Sequence, residues 1–319
     1  MAKLHPQSQL RPTTESIAII LAHYGLPPLP YRAAQSGIEN LTLLVGDAAW
    51  CYVLRVYRQD KKSDADIRRE LDFMEALRRG GLPLPTLRRT TQGETLLTLR
   101  LTGQPWQCLL MDHAPGRHPT RYTSALLANM AQHQAHMHLL GREYAQRENL
   151  PASYATLHAH VVAGEDTHLP AEWQTAEAQA FLARLQRFEV ALEADLPCGM
   201  SHFDYDADNL FADKSGRVTA ILDFDDAQCR PLVVCLGYTL WDVWMAGESA
   251  EISTRNTDKY LRHYQETRPL TPRELAVLPR VMLHRHYQVV ASDLMLGELR
   301  QDAMETVLRQ EAQLQTLGS

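Results

Sequence analysis

The chain has 319 residues, 45% of them hydrophobic and 22% charged, with a formal net charge of −6. That length buries cores without staples and suggests two domains or one large two-lobed domain. The acidic balance excludes a general nucleic-acid binder. The longest apolar runs, Ile17 to Ala22 and Pro231 to Leu236, fall far short of the roughly 20 residues a membrane span needs.

The pattern from Leu29 to Met111 is mostly strands. Short β-rich runs at Tyr31–Gln35, Leu41–Val45 and Cys51–Tyr57 are separated by Gly37 and by Gly46-Asp47. A helix is predicted over 64–79, because Ile67, Leu71, Met74 and Leu77 share one face, and Gly80-Gly81 ends it. Pro85–Thr90 and Thr95–Leu101 resemble a hairpin around Gln92-Gly93, and Gln107–Met111 is a further strand. After Pro115-Gly116 the periodicity turns helical, roughly over 121–141, 171–193, 235–247, 250–266 and 271–315 with breaks. A compact non-helical stretch, Gly199 to Pro231, lies between the second and third of these helices.

Charge divides at the same place. Residues 1–112 hold 14 Lys+Arg and 11 Asp+Glu, net +3, which leaves net −9 for 113–319. The expected fold class is α+β: a small antiparallel-sheet lobe with one helix over 1–112, then a larger, mainly helical lobe over 113–319. Five cysteines without a CxxC pair argue against a zinc ribbon and for a reducing compartment. With no secretory pattern in the first 25 residues, the expected location is the cytoplasm.

The chemistry concentrates in Ser201-His202-Phe203-Asp204-Tyr205-Asp206-Ala207-Asp208-Asn209 and in Ile221-Leu222-Asp223-Phe224-Asp225-Asp226. Clustered carboxylates repel one another unless a positive partner or water is near. Asp213–Gly216 reads as the turn of a hairpin that brings Asn209 near Asp223. An Asn oxygen and an Asp carboxylate are hard donors of the kind Mg²⁺ takes. A carboxylate five residues before the Asn can accept the proton of a substrate hydroxyl. HxD, four residues, Asn, then DFx after a hairpin is a phosphoryl-transfer constellation. An EF-hand is excluded, since its Gly and terminal Glu are missing.

On these residues the chain resembles the aminoglycoside phosphotransferase and choline kinase superfamily, the small-molecule branch of the protein-kinase-like fold. Within it, type II homoserine kinases are nearest in look. The resemblance covers about Tyr31 to about Trp244. It implies Asp204 as catalytic base, with His202 bracing the loop rather than carrying a proton, and Asn209 and Asp223 as magnesium ligands assisted by Asp225. It further implies that Arg55, on the strand Cys51–Tyr57, meets the nucleotide phosphates and pairs with Glu70. Ser36, Gly37 and Asn40 would cover the phosphates, and the backbone around Met111 and His113 would hold adenine. Phe203 stands where relatives usually have Gly, and Cys235-Leu236-Gly237 where they commonly have Asp-Leu-Ala.

Other patterns carry less. His133, His136 and His138 cannot all face one ion on a helix and read as solvated or packing residues. Tyr238, Trp241, Trp244 and Tyr287 could cage a quaternary ammonium, but their spacing favours core packing. Asp242 and Glu248 are candidates for an acceptor ammonium, and Asp206 is a further candidate for substrate binding. The expectation is therefore an ATP- and Mg²⁺-dependent kinase acting on a hydroxyl of a small cationic or zwitterionic acceptor such as homoserine, as monomer or homodimer, with no nucleic-acid or membrane partner. Alternatives are an antibiotic phosphotransferase, a bacterial stress-type protein kinase and a nucleotide-binding pseudokinase scaffold.

Overall fold

The structure is a computed structural model that describes residues 12–34, 40–47, 50–57, 62–101, 104–159, 171–296 and 303–316. Contacts divide it into two compact units, one of residues 1–117 with 219–222, the other of 118–218 with 223–319. Helices and strands are numbered in chain order.

The first unit opens with α1 (Thr14–His23), capped by a reciprocal Thr13–Ser16 box. Its Ile17, Ile20 and Leu21 are fully buried. Sequence reading passes over this helix because its apolar stretch is short and continuous, a pattern equally suited to a strand. Next come β1 (Tyr31–Ala33), β2 (Leu41–Val45), β3 (Tyr52–Val56), α2 (Asp64–Arg79), β4 (Leu97–Leu101) and β5 (Gln104–Asp112). The strands make one antiparallel sheet in the order β1-β2-β3-β5-β4. Its core joins Leu43, Val45, Leu54, Val56, Trp106, Cys108 and Leu110 to the apolar face of α1.

α2 has the predicted bounds. Ser63 Oγ accepts from the Asp66 amide, acids fill the first turn and Arg78 and Arg79 the last, which suits the helix dipole. The predicted hairpin around Gln92-Gly93 is corrected. Leu97–Leu101 pairs instead with Gln104–Asp112. Thr90 to Glu94 is a tight turn closed by the Thr90 amide on the Glu94 carbonyl, and Leu87 makes only an isolated bridge to Met111. Pro83 and Pro85 remove two ladder donors from that segment.

The second unit contains α3 (Ser124–Arg147), β6 (Leu157–His158), α4 (Ala176–Arg187), β7 (Glu189–Val190), β8 (Cys198–Ser201) and β9 (Leu210–Ala212). β10 (Val218–Ile221), most of which groups with the first unit, β11 (Gln228–Pro231), α5 (Leu232–Met245), α6 (Ala250–Thr267), α7 (Pro272–Leu296) and α8 (Ala303–Thr316) follow. The single helix expected over 171–193 is broken. A 3₁₀ turn, Ala171–Gln174, precedes the Thr175 cap of α4, and Phe188 turns extended into β7.

α3 packs on β8 and α6, α5 on α6 and α7, and α8 on α7. The α3–β8 crossing is backbone on backbone. A Cβ at Gly141 would lie 1.9 Å from the Met200 carbonyl oxygen, and one at Gly199 2.8 Å from the Arg142 amide. β8 is thereby pinned between α3 and β11, with which it pairs from Cys198↔Pro231 to Ser201↔Gln228.

No helix among the described residues is long and apolar enough to cross a membrane.

Candidate active site

β8 carries the chain into the loop that holds most of the predicted site. Ser201 and His202 are fully buried. The His202 ring lies against Tyr205 and Phe224, and its Nδ1 accepts the Asp204 amide at 3.3 Å. That contact ties the ring to the backbone of the loop. Phe203 adopts φ +66, which explains why a glycine suits this position and what the phenylalanine costs. The left-handed turn sends Asp204 outward while Phe203 itself stays buried.

Asn209 reaches back to Asp204. Its Nδ2 donates to the Asp204 carbonyl at 2.9 Å and to Asp204 Oδ2 at 2.8 Å. With the amide nitrogen so used, Oδ1 is the atom left for a cation. Asp206 Oδ1 accepts the amides of Asp208 and Asn209 at 2.9 and 3.1 Å, so this carboxylate ties the loop together. Burial, and next the charge of Asp204, push Asp206 up to about 6 against the pull of those amides. The expected turn is present: Asp213 Oδ1 takes the amides of Ser215 and Arg217, and the Gly216 amide returns to the Asp213 carbonyl. Beyond it Asp223 is exposed and, like Phe203, has a positive φ, +57; Asp225 is half-buried. Asn209 Oδ1 and the Asp223 carboxylate are hard donors that suit Mg²⁺, which keeps waters and substrate oxygens in its remaining positions. Among the described residues no group of three or more His, Cys, Asp or Glu forms a metal cage.

The sequence reading missed Arg285. This α7 side chain donates from Nη2 to Asp204 Oδ1 at 3.1 Å. Its guanidinium lies 5.1 Å from the Tyr238 ring centre and 5.9 Å from that of Trp241. Two members of the possible ammonium cage therefore already face a cation of the protein itself. Trp244 and Tyr287 are core residues. Asp242, on α5 beside Trp241, is pushed up to about 8 by burial; Arg285 pulls it down, while Asp206, Asp204 and Asp208 push it further up. Tyr122 accepts the Ala207 amide with its hydroxyl.

Cys235 replaces the family Asp without disrupting α5. Its Sγ is met by Ser201 Oγ at 3.2 Å and Gln134 Nε2 at 3.5 Å. Gly237 is also explained, since a Cβ there would lie 2.5 Å from Val281. The histidine trio does not converge: His138 is buried against the Tyr264 hydroxyl, while His133 and His136 are half-buried elsewhere on α3.

In the first unit Arg55, near the end of β3, and Glu70, on the buried face of α2, approach to 4.0 Å. Lys62 is nearer to that carboxylate, 2.6 Å from Oε2, and Tyr57 donates to Oε1 at 3.0 Å. Glu70 is thus a buried carboxylate that accepts from Lys62 and Tyr57, with Arg55 at ion-pair distance. The His113 amide donates to the Cys51 carbonyl, and the Asp112 amide to that of Thr86. Met111 lies opposite Val53 in the sheet. Asn40 begins β2's approach, whereas Ser36 and Gly37 lie outside the described residues.

Known proteins fit this frame. A homoserine kinase of Methylobacterium nodulans is 29% identical over 275 residues, covering 83% of this chain and 80% of its own. One of Caulobacter vibrioides is 27% identical over 276 residues, covering 84% and 82%. Among solved structures, an amicoumacin kinase in complex with AMP-PNP, Ca²⁺ and Ami superposes with TM-score 0.66 at 18% identity, covering 90% of this chain and 88% of that one. A microcompartment-associated aminopropanol kinase gives TM-score 0.66 at 18% identity, covering 96% and 99%. At those identities the structures show the kinase-like fold. The profile of the phosphotransferase enzyme family matches residues 30–270, so the chain belongs to that family and is an ATP-dependent small-molecule phosphotransferase acting on a hydroxyl.

Proposed function

We propose that this enzyme phosphorylates the hydroxyl of a small hydroxylated amino acid, homoserine being the first choice, with Asp204 as the base. The observation that carries the reading is the fixed Asp204 carboxylate, held by Asn209 on one oxygen and Arg285 on the other. The acceptor hydroxyl gives its proton to Asp204 as its oxygen bonds to the γ-phosphorus, and ADP leaves with the electrons of the broken P–O bond. Arg55, steadied by Glu70, binds the nucleotide phosphates; a guanidinium can meet two phosphate oxygens at once. Asn40 contributes to the phosphate side, and the backbone near Met111 and His113 receives the base. Asn209 and Asp223, with Asp225 behind them, are the residues that would hold Mg²⁺, which supplies positive charge against the triphosphate. Positioning and electrostatics then provide most of the rate.

The homoserine kinase relatives support the choice of acceptor, as do the carboxylates Asp206 and Asp242, which suit an ammonium group. ADP release measured with Mg·ATP across hydroxy amino acids, amino alcohols and aminoglycosides tests it. Stimulation by homoserine is the expected outcome. Stimulation by aminoglycosides alone would replace this acceptor, and no stimulation by any acceptor would leave a scaffold.

A further inference from the structure

The acceptor side of the loop contains one cation whose donors are mostly unspent. Arg285 hydrogen-bonds Asp204 through Nη2 and makes no other hydrogen bond among the described residues. Its Nε is buried and unpartnered. So is the indole Nε1 of Trp241, a residue only 7% exposed, whose ring lies beneath the guanidinium. A guanidinium offers five donors in a planar fork, and two aromatic rings hold that plane still. The Arg285 side chain is 18% exposed and spends only Nη2 on Asp204 among the described residues, which leaves the Nη1 donors for an incoming anion.

We propose that Arg285 receives the carboxylate of the acceptor, while Asp242, one turn beyond Tyr238 on α5, receives its ammonium. The inference rests on the kinase reading and narrows its acceptor to a short zwitterion. Arg285 and Asp204 are already in hydrogen-bond contact, so a hydroxyl on Asp204 and a carboxylate on Arg285 belong to one small molecule. A hydroxy acid without an amine would meet Asp206, Asp208 and Asp242 with nothing to offset them. An amino alcohol would leave the Arg285 fork unpaired.

The test uses the full chain with Mg·ATP and three matched acceptors: homoserine, propanolamine, which lacks the carboxylate, and γ-hydroxybutyrate, which lacks the ammonium. Wild type is expected to favour homoserine over propanolamine by about 10²-fold in kcat/KM, the order of a charge-assisted bidentate contact. Arg285→Gln should collapse that ratio to a few-fold, and Arg285→Lys should restore part of it. Because both acceptors use Asp204, the ratio cancels any effect of Arg285 on the base. Wild type turning over propanolamine as well as homoserine overturns the assignment whether or not a variant folds, and so does a ratio that survives in folded Arg285→Gln. Either result leaves the kinase reading standing. Absence of ADP release stimulated by any of the three overturns the choice of a hydroxy amino acid as acceptor and this assignment with it.

Discussion

Asn209 and Asp204 are joined twice, by the Asn209 amide nitrogen to the Asp204 carbonyl and to its carboxylate. The pair fixes at once which way round the Asn209 amide sits and how Asp204 is aimed. Asn209→Ala should therefore do two kinds of damage. Calorimetry should show loss of the Mg²⁺-dependent part of ATP affinity, as it should for Asp223→Ala. Asp223→Ala, which leaves Asp204 held, should retain more of any residual turnover. Unchanged Mg·ATP affinity in both variants would contradict the assigned metal ligands.

Phe203 offers a test of backbone strain. At φ +66 any side chain with a Cβ is disfavoured by about 1 kcal/mol or more relative to glycine. Phe203→Ala and Phe203→Gly both lose the buried ring. The alanine variant keeps the strain and should be the less stable of the two by about 1 kcal/mol, the reverse of the order expected in regular structure. Chemical unfolding of the two variants measures the difference directly.

At Gly141 the prediction is steric. A methyl group there would meet the Met200 carbonyl at 1.9 Å, so α3 and β8 must separate. Gly141→Ala should cost about 2 kcal/mol or more and slacken the strand that leads to Asp204. The paired expectation is a lower unfolding midpoint together with reduced turnover in the molecules that remain folded.

Asp242 predicts a pH dependence of stability. Its folded value of about 8 lies above the ordinary carboxyl value, so the native state holds this proton where the unfolded chain has lost it. The groups that set the shift are its burial, Arg285 on α7 and the loop carboxylates Asp206, Asp204 and Asp208. Stability from this group is full below the unfolded value and is lost as pH rises toward about 8. Asp242→Asn should remove that loss, making the variant relatively more stable with rising pH, by at most about 1.4 kcal/mol per pH unit for one proton. Denaturant midpoints from pH 5 to 8 that run parallel for the two proteins would contradict it.

The sequence is legible where a pattern is local. α2 stands at its predicted bounds because its periodicity, its Ser63 cap and its paired glycines all agree. The loop from His202 to Asn209 is legible because its chemistry is encoded within eight consecutive residues. Arg285 is not, since it meets Asp204 across 81 residues of chain and sits in an ordinary helix pattern. Nor is Lys62, whose approach to Glu70 follows from where β3 and α2 lie rather than from any motif. The false hairpin at Gln92-Gly93 shows the converse. A good turn signal is present and a turn forms, but proline on one side leaves no strand for it to join.

The account depends most on Asp204 taking the proton of the acceptor. Steady-state ADP release with Mg·ATP and saturating homoserine, compared between wild type and Asp204→Asn, tests this most directly, because the amide keeps the shape of the side chain and removes the base. The account predicts that kcat falls by about 10²-fold or more while ATP affinity is retained. Turnover within a few-fold of wild type in the asparagine variant would contradict it.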